Sequence, residues 1–277
     1  MPQTTVDRHA FRRRAATSML ATELVGDVAR RLAGSGIVVM PVKGALLQHW
    51  LYDDPAERPL TDVDLLVRPD EFGTAVAHLE AAGYERTHHG SVGGSVLRTP
   101  FGLALDLHSQ LFDRARYRMH TRDLFARGRA DDALYGASVQ IPSALDVYAH
   151  LIGKFGSDHL DARATARLDE IARMATRVDA SPETVARHLT HCGMRRVSRY
   201  TLPLIHEATD DAFSRAVWEY LPPDPVGRTI VALANPLLSR LSPDSRVGAL
   251  VAHLLNDSVA RGVRSGVRAI RQRGERC

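Results

Sequence analysis

The sequence predicts an α+β protein, with a small mixed β-sheet and flanking helices followed by a helical C-terminal portion. Two observations lead to this class. Short apolar or alternating segments have the pattern of strands at residues 37–42, 62–67 and 103–108. From Pro142 onward, apolar residues recur at helical spacing instead. We therefore expect an N-terminal helix and the sheet in a domain over residues 1–141, and a helical domain over residues 142–277.

The composition is that of a soluble globular protein. Of the 277 residues, 44% are hydrophobic and 25% are charged, which are ordinary proportions for such chains. No apolar run reaches the roughly 18 residues of a membrane-spanning helix, and the N-terminus lacks the apolar core of a signal peptide. The two cysteines, Cys192 and Cys277, form no disulfide framework. We expect a cytoplasmic protein with no membrane partner.

The first elements are a helix, a strand and a second helix. Residues 8–33 predict a helix with an apolar face formed by Leu20, Leu24, Val25, Val28 and Leu32. The β-branched run at 37–42 predicts a buried strand that turns into a helix at Lys43-Gly44. Such a turn offers an anion the free N–H groups of a helix N-terminus, and Lys43 adds a positive charge. The alternative is an ordinary strand-to-helix turn with a surface lysine; the turn is not a Walker loop.

Residues 58–67 (Arg-Pro-Leu-Thr-Asp-Val-Asp-Leu-Leu-Val) contain the most informative pattern. On a strand, residues i and i+2 share a face, so Asp62 and Asp64 point the same way while the alternate apolar residues face a core. Two adjacent carboxylates repel each other unless a cation lies between them. The usual solution is a divalent metal with oxygen ligands, Mg²⁺ above all. The alternative is a chance Asp-x-Asp on a solvated strand face or in a turn.

A helix at 70–82 and a hairpin of two short strands with a glycine-rich turn at 89–94 precede the third strand. Alternation in that strand places Asp106 and His108 on one face. If it lies beside the Asp62 strand, Asp106 becomes a third carboxylate that binds metal or takes a proton from a nucleophile. The alternative for Asp106 is a solvated strand residue. For His108, the pattern favours a partly buried histidine bonded to the backbone.

Together, Lys-Gly at the strand–helix turn, the motif at 58–67 and Leu-Asp-Leu-His at 105–108 resemble the nucleotidyltransferase-like superfamily of the DNA polymerase β type. Within it, the chain is most similar to the bacterial group usually called uncharacterised nucleotidyltransferases. The toxin nucleotidyltransferases of type IV toxin–antitoxin systems look like more distant relatives. The resemblance covers about residues 36–175 and implies a small mixed-sheet nucleotidyltransferase core.

The resemblance also implies roles for individual residues. Asp62 and Asp64 match the metal-binding pair, and Asp106 matches the third carboxylate. Lys43-Gly44 lies where most of the superfamily has Gly-Ser or Gly-Gly at the phosphate turn. The family's tryptophan after Leu-His is replaced here by a serine, so a stacking tryptophan is missing.

Two helices of the C-terminal portion contain further candidates. His150 and Lys154, four residues apart, share a helix face. The resemblance matches His150 to a family histidine, and Arg167-Leu168-Asp169 on the next helix to an Arg-x-x-Asp-like segment. Lys154 or His150 would then face a triphosphate, with Asp169 ordering that cation. The alternative is a surface lysine, and an arginine that merely ties two helices together.

The net charge is +4 and the pI about 9.3. Arginines are concentrated near both ends, and the last group comprises Arg261, Arg264, Arg268, Arg271, Arg273 and Arg276. Such a stripe can contact phosphate backbones without sequence preference, or it can be a solvated helix face. Nucleic acid is therefore allowed as a partner but is not indicated.

These observations predict a metal-dependent nucleotidyltransferase. It would transfer a nucleoside monophosphate from an NTP to an acceptor hydroxyl or other nucleophile, with release of pyrophosphate. Mg²⁺, or alternatively Mn²⁺, would be held by Asp62, Asp64 and Asp106. The predicted nucleotide-binding residues are Lys43, Gly44, Arg58, Thr61, His150 and Lys154. The acceptor is left open among small molecules, peptides, proteins and tRNA. The rival functions are a toxin-like enzyme that modifies tRNA 3′ ends, and a degenerate domain that binds a nucleotide or a partner without turnover.

Overall fold

The computed structural model describes residues 5–89, 93–113, 115–158, 164–238, 240–241, 245–260, 262–264 and 266. By its contacts the chain separates into two compact units. A sheet-bearing unit comprises residues 1–111 and 120–143, and a helical unit comprises residues 112–119 and 144–277. The domains proposed from the sequence differ from these units chiefly in residues 112–119, which belong with the helices.

A five-stranded mixed sheet forms the centre of the sheet-bearing unit. Its strands are β1 (Met40–Val42), β2 (Asp62–Leu66), β3 (Glu85–His89), β4 (Gly94–Arg98) and β5 (Ala104–His108). They lie in the order β1-β2-β5-β4-β3. Strands β2 and β5 run parallel, whereas the other neighbouring pairs are antiparallel. The predicted α+β class with a small mixed sheet is confirmed.

Four helices and a small hairpin complete this unit. The helices are α1 (Thr5–Ala33), α2 (Lys43–Leu51), α3 (Phe72–Ala81) and α4 (Thr121–Arg127), and the hairpin pairs β6 (Arg129–Asp131) with β7 (Val139–Ile141). A 3₁₀ turn, Pro55–Glu57, leads towards β2. Residues of α1 and of β2 that face the interior are fully buried, so the core lies between the sheet and its helices.

Helix α1 has the predicted apolar face with one exception. Leu24, Val25, Val28 and Leu32 are fully buried. Leu20 is 41% exposed, so the predicted apolar face is not buried at this residue. At that level α1 instead turns Ser18 inward, where its hydroxyl donates to Gln48 Oε1 of α2 over 2.8 Å.

Strand β1 is shorter than the predicted segment 37–42. The Ile37 N–H donates to the carbonyl of Leu32 at the end of α1, and the Val39 carbonyl accepts from the Gln140 N–H of β7. Both groups are therefore already bonded to elements other than β2. The ladder with β2 consequently begins at Met40.

The helical unit contains the helices predicted for the C-terminal portion. They are α5 (Ala144–Ser157), α6 (Thr165–Ala175), α7 (Pro182–His191), α8 (Arg195–Thr209), α9 (Ala212–Tyr220), α10 (Pro225–Leu238) and α11 (Arg246–Leu254). Residues 221–224, which include two consecutive prolines, separate α9 from α10. Among the residues described, no helix combines the length and the apolar character needed to cross a membrane.

A buried arginine ties several parts of the helical unit together. Arg196 of α8 is 3% exposed. Its Nε donates to Asp224 Oδ2 over 3.1 Å, and its Nη1 donates to the Asn256 carbonyl over 2.6 Å. A buried guanidinium is tolerated only when its donors are satisfied in this way.

Candidate functional site

The carboxylates predicted at the metal site come together through the parallel pairing of β2 with β5. In this register Asp64 lies directly opposite Asp106. The alternate residues on both strands are fully buried: Val63, Leu65, Leu105 and Leu107. The apolar side chains therefore hold one face against the core, and the two aspartates project from the other face. The prediction that the Asp106 strand lies beside the Asp62 strand is confirmed.

Asp64 is the centre of a compact polar cluster. Its Oδ1 accepts from His108 Nε2 over 2.8 Å and from Lys43 Nζ over 2.5 Å. The same His108 nitrogen lies 3.3 Å from Asp106 Oδ2. Asp64, Asp106 and His108 offer ligand atoms that all lie within 4.8 Å of one another. Among the residues that the structure describes, these three form a group that could hold a metal ion.

Asp62 stands at the edge of this cluster. It begins β2 and is half-buried, and its Oδ1 accepts from the exposed Thr61 hydroxyl over 3.1 Å. It is not among the three residues whose ligand atoms cluster. By strand alternation it shares a face with Asp64, so its role as a metal ligand stays a prediction.

His108 is the residue whose position the sequence pattern described least well. It was expected to be partly buried and bonded to the backbone, but it is 4% exposed and its Nε2 faces two carboxylates. The signal was available, because alternation places His108 on the same face as Asp106. Burial alone would lower the pKa of His108, but the hydrogen bonds to Asp106 and Asp64 outweigh it and raise that pKa.

The proton positions follow from this geometry. His108 Nε2 can donate to the carboxylates only if it carries a proton, an assignment made from the bonding pattern. Lys43 Nζ lies 3.3 Å from the same nitrogen, and since both groups are then donors, that contact is not a hydrogen bond. Burial would raise the pKa of Asp64, yet its bonds to His108 and the Lys43 charge keep that pKa below the usual value.

The start of helix α2 lies next to Asp64. The last residue of β1, Val42, pairs directly with Asp64, and α2 begins at the following residue, Lys43. Val42, the residue at the N-cap position, makes no side-chain hydrogen bond to the N–H groups of this helix end. A Cβ on Gly44 would lie 2.7 Å from Arg58 Nη1, so the guanidinium rests against the glycine. An uncapped helix N-terminus with two cations beside it is suited to bind phosphate.

The carboxylates fit a divalent cation. Asp106 Oδ1 is buried and has no hydrogen-bond partner among the described residues, and leaving such an oxygen unsatisfied is costly. A cation that prefers oxygen ligands would satisfy it together with the Asp64 carboxylate. Carboxylates are suitable ligands for Mg²⁺ and Mn²⁺, whereas an imidazole such as that of His108 is seldom a ligand of Mg²⁺.

The remaining predicted residues lie on the helical unit or outside the described residues. Lys154 Nζ pairs with Asp158 Oδ1 over 2.5 Å. His150 is buried, with its ring edge-on to Phe112 at 5.3 Å between centroids. Asp169 accepts from Arg173, its neighbour in α6. Of the C-terminal arginines, Arg264 is exposed, and the other five lie outside the described residues.

Comparison with known proteins gives one family. The model of a family described as uncharacterised nucleotidyltransferase matches residues 4–210. No curated protein matches the chain. Among solved structures, an antigenic nucleotidyltransferase-like protein from Paracoccidioides brasiliensis is similar, with 15% sequence identity. The match covers 73% of this chain and 94% of that one, with a TM-score of 0.48.

Proposed function

Because the chain belongs to the uncharacterised nucleotidyltransferase family, we propose that it transfers a nucleoside monophosphate from an NTP to an acceptor nucleophile and releases pyrophosphate. The observation that supports this most strongly is the pairing of Asp64 with Asp106 beside the uncapped start of α2. Carboxylates that can bind a cation therefore lie next to a helix end that can bind an anion, which supports a site for a metal–phosphate complex. We place the reaction in the cytoplasm, as the sequence predicts.

Cation binding falls to the carboxylates. Mg²⁺ or Mn²⁺ would be held by Asp64 and Asp106, with Asp62 as the predicted third oxygen donor. His108 would remain a hydrogen-bond donor to the carboxylates. A divalent cation held there neutralises charge on the attacking and leaving oxygens of an in-line transfer. The buried leucines and valine behind these strands fix the two aspartates, so little reorganisation is needed when charge develops.

Phosphate binding falls to the turn between β1 and α2. The free N–H groups at Gly44, the Lys43 ammonium and the Arg58 guanidinium supply donors and positive charge for the β- and γ-phosphates. Thr61, next to Asp62, is proposed as a further nucleotide contact. His150 and Lys154 of α5 remain proposed contacts of the triphosphate, supported by the family resemblance alone.

The proton and bond changes balance without a further reactant. The acceptor hydroxyl oxygen forms a bond to the α-phosphorus, and the bond from that phosphorus to the bridging oxygen of the β-phosphate breaks. Pyrophosphate takes the electron pair of the broken bond. Asp106, as the proposed base, takes the hydroxyl proton on the carboxylate oxygen that does not bind the cation.

The position of a radiolabel tests the reaction. Each of the NTPs, labelled at the α-phosphorus, is incubated with the protein, Mg²⁺ or Mn²⁺ and a cell extract, and the labelled species is identified. Parallel reactions use label at the γ-phosphorus, which should appear in pyrophosphate. Transfer of the γ-label to an acceptor would mean a kinase, and absence of α-transfer from every NTP would contradict the proposal. The Asp64→Asn protein is the control, and the labelled fraction distinguishes a tRNA acceptor from proteins, peptides and small molecules.

A further inference from the structure

Lys43 has an unusual backbone for its residue type. Its φ is +50°, in the left-handed region that favours glycine. Among the described residues, one other non-glycine residue, Asp210, shares this sign of φ. A strained residue in such a position is a reason to look for a function of its side chain. That side chain reaches Asp64 Oδ1.

The choice of lysine is also unusual in this chain. Of its 36 lysine and arginine residues, only Lys43 and Lys154 are lysines. An ammonium is a compact charge on a flexible stem, whereas a guanidinium is planar and pairs with carboxylates in a fixed fork. A lysine at the site therefore provides a charge that moves easily from one anion to another.

We infer that Lys43 is an exchangeable counter-ion, which neutralises Asp64 in the nucleotide-free protein and moves to the triphosphate when nucleotide and metal bind together. The inference rests on the proposed function. Asp64 is then released from its ammonium partner and becomes available to the divalent cation. The exchange exposes no unpaired charge at either end, because the phosphates replace the carboxylate as the partner of the lysine.

The two anion positions lie within reach of one side chain. Val42 is the register partner of Asp64, and Lys43 is the first residue of α2. The N–H groups proposed to bind phosphate thus belong to residues that are next to Lys43 in the sequence. The Lys43 side chain is 26% exposed, whereas that of Asp64 is 6% exposed. The ammonium can therefore meet an incoming nucleotide while its carboxylate partner stays buried.

The exchange predicts coupling between metal and nucleotide. While Lys43 holds Asp64, a cation must displace a positive charge, so metal binds the nucleotide-free protein weakly. A nucleotide that draws Lys43 away raises the metal affinity, and by linkage the metal raises nucleotide affinity by the same factor. Removal of the lysine should therefore strengthen metal binding to the nucleotide-free protein and weaken nucleotide binding. A lysine with a purely structural role would weaken both when removed.

The first part of the inference, that Lys43 neutralises Asp64 in the nucleotide-free protein, is tested by titration with Mn²⁺. Electron paramagnetic resonance measures the free Mn²⁺ during the titration. Lys43→Met removes the charge and keeps the strained backbone, and Lys43→Gly removes both. Both variants should bind Mn²⁺ more tightly than the parent by about tenfold or more, because a unit charge in contact with Asp64 is lost. The Arg177→Met protein, which loses one exposed positive charge in the helical unit, is the control and should bind Mn²⁺ like the parent. Unchanged or weaker Mn²⁺ binding in both Lys43 variants would overturn the inference.

Nuclear magnetic resonance of isotope-labelled lysine tests the second half. The chain has two lysines, so two side-chain signals are expected, and the Lys43→Met spectrum assigns them. Addition of Mg²⁺ with a non-hydrolysable NTP analogue should shift the Lys43 signal, and the Lys154→Met protein shows that signal alone. Analogue binding without a Lys43 shift would overturn the exchange and leave the proposed function standing. Failure of the parent to bind any analogue would overturn the proposed function, and the exchange with it.

Discussion

Asp64 and Asp106 are direct register partners on two neighbouring parallel strands. Adjacent strands lie about 4.8 Å apart, so two carboxylates on the same face repel each other unless positive charge compensates. In this structure Lys43 and His108 both contact Asp64 Oδ1. They come from the β1–α2 turn and from the end of β5, so three elements meet at one carboxylate oxygen.

The two aspartates of β2 should differ in their effect on metal binding. Asp64→Asn should weaken Mn²⁺ binding by about a hundredfold or more, roughly 2.8 kcal/mol, because Asp64 belongs to the clustered ligand group. Asp62→Asn should weaken it by about tenfold at most. Titration of both variants measures the difference, with circular dichroism as the control for folding. Equal losses in the two variants would make Asp62 a full ligand.

Asp106 should matter more for turnover than for nucleotide binding. Its carboxylate is the proposed proton acceptor, and a group that acts in the transition state affects kcat more than affinity. Asp106→Ala should therefore lower kcat well beyond tenfold, or about 1.4 kcal/mol, with nucleotide affinity nearly retained. Single-turnover kinetics beside equilibrium binding separate the two effects. A smaller loss would indicate a solvated strand residue.

The arginines near the C-terminus are tested by salt dependence. Replacing Arg264, Arg268 and Arg271 by Gln should weaken RNA binding if these residues contact phosphates. The logarithmic salt slope should fall by about 0.9 for each lost duplex contact and about 0.7 for a single strand. The matched control replaces the exposed arginines Arg177, Arg187 and Arg228 by Gln, which gives the same change in net charge. RNA binding equal to that of the parent at every salt concentration would show a solvated face.

Strand alternation in the sequence was enough to predict that Asp64 and Asp106 each lie on the polar face of a strand. The two-residue period of a strand placed Asp64 and Asp106 on polar faces. The apolar residues that alternate with them form the buried face, as the structure confirms. Their direct opposition depends on the parallel register of β2 with β5, which no local pattern specifies.

Alternation placed His108 on the face of Asp106, but the contacts of Lys43 and His108 with Asp64 could not be predicted, for the same reason. Lys43 reaches Asp64 across 21 positions of sequence, and His108 reaches it across 44. Such pairs form only once the order of the strands is set. The exposure of Leu20 has a similar origin, because the face that α1 turns inward at this level is set by the contact of Ser18 with Gln48 of α2, a residue distant in sequence.

Gly44 should not tolerate a larger side chain. A Cβ there would lie 2.5 Å from Leu60 Cδ2 and 2.7 Å from Arg58 Nη1. Gly44→Ala should therefore lower the free energy of unfolding by about 1–3 kcal/mol and, by displacing Arg58, weaken binding of the NTP analogue. Gly73 of α3 is the matched control, because its Cβ would meet nothing within 4 Å. Gly73→Ala should raise the free energy of unfolding by about 0.5–1 kcal/mol. Urea unfolding and analogue titration check both variants, and unchanged analogue affinity in Gly44→Ala would remove Arg58 from the phosphate site.

The helical unit should lose stability in alkaline solution through His188. Its Nε2 lies 3.1 Å from Oδ1 of the buried Asp146, and Cys192 Sγ lies 3.7 Å away. Burial alone would lower the pKa of His188, but the bonds to Asp146 and Cys192 raise it from 6.5 to about 9. Because the folded pKa is the higher one, the stabilisation is fully present below about pH 6.5 and is lost as the pH rises through about 9.

The measurement compares the parent with His188→Gln by urea unfolding at about pH 6, 7.5 and 9.5. The parent should be the more stable protein at the lowest pH, by at most about 3 kcal/mol, and the difference should shrink towards the highest pH. Cys192→Ser, measured alongside, accounts for the contribution of the neighbouring thiol to the stability difference. A difference that stays constant, or grows with pH, would mean that the charged form of His188 does not stabilise the fold, and that Asp146 is satisfied by other partners.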